Sequence, residues 1–179
     1  MRNAYIFYDR DDKDEPLPFE GTDFARLLEV CVRYCAFFSL FLLQETAFQK
    51  AAQLDAFLVE ERSLLPEEKI QKEDGDKAVI RFYRVDEKSV QALLNISRNL
   101  WDFVYWWGYQ NPEDLTFYRV DSSVFFRCIA HEGEAILSPQ KNEDISPVLG
   151  CVRCFPMETW ETNAGIHYPQ REKAATGKV

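Results

Sequence analysis

Histidine and glycine are scarce in this chain. Its 179 residues hold two histidines and seven glycines, and several kinds of chemistry are missing with them. A zinc site of the H-E-x-x-H kind needs two imidazoles one helical turn apart, whereas His131 and His167 are the only histidines and lie far apart. No Walker loop, G-x-G-x-x-G, G-x-S-x-G elbow or kinase motif set is present. Long apolar runs are missing as well. The longest uncharged one, Tyr34 to Leu43, reaches about half of the ~20 residues that a membrane helix needs. The opening residues, Met1 to Arg10, run straight into the acidic cluster Asp9–Glu15, so no targeting segment is expected.

Basic residues are the third shortage. Lysine and arginine number 21 against 30 acids, giving a formal charge of -9. Residues 139–179 balance at five against five, so the whole acidic excess lies in residues 1–138. Such a surface repels nucleic acid and anionic lipid and attracts a basic protein partner; it also serves plain solubility. Cys31, Cys35, Cys128, Cys151 and Cys154 make an odd count. Two of them fall within an expected helix, and the pattern predicts reduced thiols in a cytoplasm.

What is abundant is apolar and aromatic material, 46% and 15% of the chain, enough to fill the core of one domain. Alternation and β-propensity predict strands at Ala4–Tyr8 and Ala78–Val85, a hairpin of Leu115–Val120 and Val124–His131, and a short strand at Glu134–Leu137, while the short continuous apolar run Phe37–Leu43 suits a strand covered on both faces. Helical spacing predicts a helix capped by Thr22, with Phe24, Leu27, Leu28, Cys31, Tyr34 and Cys35 on its apolar stripe. A second helix is expected over Thr46–Arg62, ended before Pro66, and a charged loop over Pro66–Lys77. A third is expected from an Asp86 cap to Gly108, its stripe running Val90, Leu93, Leu94, Ser97, Leu100, Trp101, Val104, Trp107. On its polar side, after Asn95, Asn99 and Asp102, stands Trp106. Phe-Tyr-Arg-Val-Asp occurs at Phe82–Asp86 and again at Phe117–Asp121, but the flanks diverge, so it is not read as a repeat.

The expected fold is therefore a single α+β domain over residues 1–138, with a mixed sheet of about five or six strands and three helices mainly on one face. Residues 139–179, with four prolines, read as an irregular extension in which Val148–Phe155 docks as an edge strand and the end from Arg171 forms a tail.

Trp106-Trp107-Gly108-Tyr109, Pro112-Glu113-Asp114-Leu115-Thr116-Phe117-Tyr118 and His131-Glu132 resemble a family of small uncharacterised bacterial proteins, some labelled stage III sporulation protein AH. The resemblance covers mainly residues 80–137. This chain departs from it by Gln110-Asn111 before Pro112 and by its long tail. The sporulation label implies a membrane-anchored ring component. No anchoring helix is expected here, so that role is not carried over, and the resemblance supplies no catalytic residues.

Candidate chemistries are few. Cys151-Val-Arg-Cys154 is the only C-x-x-C, and a structural zinc would need Cys31 and Cys35 as its second pair; on an apolar stripe these read more simply as small buried hydrophobes. Pro156 close behind argues against a redox pair. Cys128 is expected on a buried strand face, unavailable as a nucleophile. His131, with Glu132 or Glu134 as acid–base partner or metal ligand, is the best titratable cluster, set against a solvent-facing turn histidine. Glu113-Asp114 are expected to point apart, as neighbours on a strand do. Trp106 is either covered by Phe155 and Trp160 or anchors a partner. The sequence thus favours a non-catalytic acidic interaction domain of the bacterial cytoplasm, immunity-like or an assembly factor. Its contacts would be Trp106, Tyr109, Glu113 and Asp114, with no cofactor or metal, no nucleic acid and no membrane. The alternative is a small hydrolase or metal-dependent enzyme using His131, Glu132 and Glu134.

Overall fold

Short alternating segments rich in phenylalanine make this chain mainly sheet. The computed structural model describes residues 4–65, 78–106, 109–150 and 154–157, without the side chains of Tyr105, Trp106 and Tyr109. Among these residues, β1 (Ala4–Tyr8), β2 (Phe37–Leu42), β3 (Leu58–Ser63), β4 (Val79–Arg84), β7 (Glu113–Tyr118), β8 (Val124–Ile129), β9 (Glu134–Leu137) and β10 (Cys154–Met157) form one eight-stranded sheet. Its order is β10-β1-β9-β8-β7-β2-β4-β3, and every neighbouring pair is antiparallel. A separate two-stranded pair joins β5 (Tyr105–Trp106) to β6 (Tyr109–Gln110). The described α-helices are α1 (Thr22–Tyr34), α2 (Glu45–Ala51), α3 (Glu87–Ile96) and α4 (Ser146–Leu149). The α+β class holds. The sheet is larger than the five or six strands expected and is not mixed in direction, and four helices replace three. None of the described helices is long and apolar enough to cross a membrane.

Of the two further strands, β3 comes from a segment read as helix, and β10 is an edge strand that starts later than the Val148–Phe155 expected. Leu58–Ser63 is not the end of a helix over Thr46–Arg62: α2 stops at Ala51, a 3-10 turn spans Ala52–Phe57, and the chain then pairs with β4 as an edge strand. Arg81 on β4 draws it in, donating to Glu61 at 2.6 Å and to Asp55 at 3.1 Å. β10 pairs with β1 as Cys154–Met157, while Val148 belongs to α4 and is fully buried.

The helix expected over Asp86–Gly108 is also shorter. Its beginning is as the sequence suggests, because Asp86 accepts from the Ser89 N–H and the Ser89 hydroxyl accepts from the Asp86 N–H. It ends at Ile96, where side chains compete for the backbone. The Ser97 hydroxyl accepts from Asn99 N–H and donates to Asp102 Oδ2 at 2.7 Å, and Asn99 Oδ1 accepts from Trp101 N–H. Leu100–Asp102 becomes a 3-10 turn, and Tyr105–Trp106 is extended. The start of α1 shifts by one: the cap is Gly21, at φ +58°, and Thr22 is the first helical residue.

Helices α1, α2, α3 and α4 bury their apolar residues against one face of the sheet, where Phe38, Tyr83 and Phe117 meet with ring centroids 5.1 and 5.5 Å apart. The alternate strand positions Phe41, Ile80, Phe82 and Tyr118 gather with Leu64 and Ala78 on the opposite face. Both faces of the central strands are buried, which suits the continuous apolar run of β2.

Candidate functional site

β8 ends at Ile129, and residues Ala130–Glu132 form a 3-10 turn rather than the last rungs of the strand. That turn ends at Gly133, at φ +68°, which lets the chain reverse into β9. The reversal presents the His131 ring to the start of β7, its side chain 30% exposed. Glu113 and Asp114 receive it. His131 Nδ1 lies 3.2 Å from Glu113 Oε1 and 3.5 Å from Asp114 Oδ1.

Two successive strand residues ordinarily face opposite ways, and the sequence reading placed these acids on the surface. In the structure they are 4% and 2% exposed. The cause is local. Asp114 has φ +54°, β7 loses register with β2 between Ser39 and Phe41, and the Asp114 N–H donates to the Phe103 carbonyl at 3.2 Å. Both carboxylates therefore converge on one imidazole. The partners assigned to His131 from sequence fare differently. Glu132 Oε1 is 3.9 Å from Nε2, whereas Glu134 sits on β9 opposite Ile129 and Tyr8. Burial, then the charge of Glu132, raises the Glu134 carboxyl above its ordinary value.

His131 also lines a cleft of about 650 Å³. One wall is the loop 9–18, folded on itself by Asp11, whose carboxylate accepts from the Lys13 and Glu15 N–H groups. The other is the segment 99–104. The walls are joined where Trp101 Nε1 donates to the Leu17 carbonyl at 3.1 Å, Leu100 N–H to Phe19, and Gly21 N–H to Arg98. Asn111 braces the 99–104 wall, donating to the Asp102 carbonyl at 2.7 Å while Lys50 donates to its Oδ1 at 2.6 Å. Asp9, Trp101 and Asp102 line the cleft with Pro16 and Leu17, and the Asp102 carboxylate accepts from the Ser97 hydroxyl at 2.7 Å. The cleft's one arginine, Arg10, is engaged by Asp14, at 2.8 Å to the carbonyl and 3.4 Å to the carboxylate.

Trp101, expected in the core, is half-buried on this wall. The backbone of Trp106 and Tyr109 pairs across β5 and β6, so the helix that was to project Trp106 is absent; the side chains of both, like Trp107 and Trp160, lie outside the described residues. Phe155, a candidate cover for Trp106, is 42% exposed and meets Tyr8 at 6.0 Å. Cys31, Cys35 and Cys128 are buried, as small hydrophobes are. Burial first, and the charge of Asp114 second, push the Cys128 thiol well above its ordinary value. Cys151 lies outside the described residues.

The cleft was missed by sequence reasoning because its walls are separated by about ninety residues of chain and neither has periodicity. The proline-rich acidic loop read as a plain connection. No known protein family matches the chain, and no curated protein or solved structure is detectably similar to it.

Proposed function

We propose that this chain is a non-catalytic, acidic interaction domain of the bacterial cytoplasm, immunity-like or an assembly factor, and that it holds a basic side chain of its protein partner in the cleft between residues 9–18 and 99–104. The observation carrying this reading is the cleft's lining: two acidic residues, Asp9 and Asp102, with Trp101, and with Arg10 already engaged by Asp14. A guanidinium or ammonium group is matched there by charge and by the aromatic ring. The chain's net charge of -9 adds long-range attraction for a basic partner.

The contact set thereby moves. Asp9, Trp101 and Asp102 take the roles first given to Trp106, Glu113 and Asp114, since the last two are buried behind His131. Trp106 and Tyr109 stay candidate contacts, because their two-stranded pair begins directly after Val104 on the cleft wall.

Calorimetric titration with an arginine-rich peptide tests the reading, with a glutamate-rich peptide of equal length as control. Binding is expected to saturate, to weaken with salt, and to fall about tenfold or more in Trp101→Ala and Asp102→Asn. Equal binding of the two peptides, or unchanged affinity in both variants, would contradict it.

A further inference from the structure

We propose that His131, Glu113 and Asp114 form a binding site for one divalent transition-metal ion, of which zinc is the type. The contacts proposed above use Asp9, Trp101 and Asp102, so this site stands or falls separately.

Three features carry the assignment. The first is spacing. The three donor atoms all lie within 4.8 Å of one another, and the two distances from Nδ1 are 3.2 and 3.5 Å. A tetrahedral ion with bonds of about 2.0–2.1 Å holds its ligand atoms about 3.3 Å apart, so an ion can be placed among these atoms with small side-chain movements.

The second is ligand chemistry. One imidazole and two carboxylates form a borderline-hard set, suited to zinc or manganese rather than to the soft ions that prefer thiolates. Two carboxylates also neutralise a dication. Both are more than nine-tenths buried, so a charge-balanced site avoids the cost of isolated charge in the interior.

The third is access. The residues come from two places, the first two residues of β7 and the 3-10 turn closed by Gly133, and only His131 among them lines the cleft. An ion held on its Nδ1 has protein on the carboxylate side and the cleft as a route for water and for the ion. Three protein ligands would leave the remaining coordination positions of the ion to solvent.

The test is cobalt(II) titration of the full chain, in the natural sequence and in a Cys151→Ser, Cys154→Ser background that removes the C-x-x-C thiols. One equivalent is expected to bind in both, with visible absorption in the doubly substituted background and no thiolate charge-transfer band. His131→Ala, a substitution at a partly exposed position, is expected to lower affinity by at least about a hundredfold, since loss of outer-shell partners alone costs ~10–100-fold. A second readout needs no substitution at the site: zinc is expected to shift the imidazole nitrogen resonances of His131 and not those of His167. Binding that disappears with the two thiols, that survives in His131→Ala, or that never reaches one equivalent would overturn the site.

Discussion

Arg119 and Glu143, 24 residues apart in sequence, meet in a two-pronged ion pair, Nε to Oε1 and a terminal guanidinium nitrogen to Oε2, both at 2.6 Å. The guanidinium also donates to the carbonyls of Val124 and Ser138 and lies 5.0 Å over the Phe125 ring. Both side chains are almost fully buried, so the pair fastens the segment after β9 to the β7–β8 hairpin. Burial by itself would raise the Glu143 carboxyl, but hydrogen bonds from Arg119 and the Gln140 N–H, with the guanidinium charge, outweigh it and hold it below its ordinary value. A depressed folded value contributes stability that is complete above the ordinary carboxyl range and is lost as pH falls through the folded value. Glu143→Gln is expected to cost about 3 kcal/mol near pH 7, because it leaves the buried guanidinium without its counter-charge. Urea unfolding at descending pH should show the gap between the two proteins closing below the ordinary value of 4.5. A gap that stays constant into acid would refute the assignment.

A side chain at Gly133 would have to move the Asp9 carboxylate aside. The φ of Gly133 is +68°, and a Cβ there would fall on the carboxylate of Asp9, whose own N–H donates to the Gly133 carbonyl at 2.9 Å. Left-handed backbone alone costs an L-residue roughly 1–2 kcal/mol, and displacement of Asp9 adds to it. Thermal unfolding of Gly133→Ala should therefore show a loss of at least that size, with any excess over it removed when Asp9→Ala is combined with it. Additive effects of the two changes would argue that they do not touch.

Asp86 caps α3 with both halves of a capping box. Asp86→Ala is expected to cost about 1 kcal/mol, and the Ser89 hydroxyl, still an acceptor for the residue 86 N–H, should hold the loss near that figure. Chemical denaturation of the variant checks this, and an effect below a few tenths of a kcal/mol would mean that the helix start is fixed by packing alone.

The parts of this fold that show in the sequence are those set by nearest neighbours. Asp86 with Ser89, the loose alternation of β1, the apolar run of β2 and the stripe of α1 need only local chemistry, and each appears in the structure. Leu58 fits a helical stripe with Ala47, Ala51 and Leu54, but pairing of β3 with β4 decides its state. Val104 and Trp107 lengthen an apparent helix, while the hydroxyl of Ser97 and the amide of Asn99, both polar and both inside the apparent helical pattern, end it. The site is hidden for a related reason. Glu113 and Asp114 read as divergent neighbours, and only the positive φ of Asp114, imposed by its bond to the Phe103 carbonyl and the bulge beside Ser39, turns both toward His131.

The most direct measurement of the proposed function is an isotope-filtered NMR experiment on the protein with an unlabelled arginine-rich peptide. Cross-relaxation is expected between arginine side-chain protons and the ring of Trp101, together with shifts in the backbone amides of Asp9 and Asp102. Contacts confined to another indole, or peptide binding that leaves residues 9–18 and 99–104 unmoved, would contradict the assignment of the cleft as the seat of recognition.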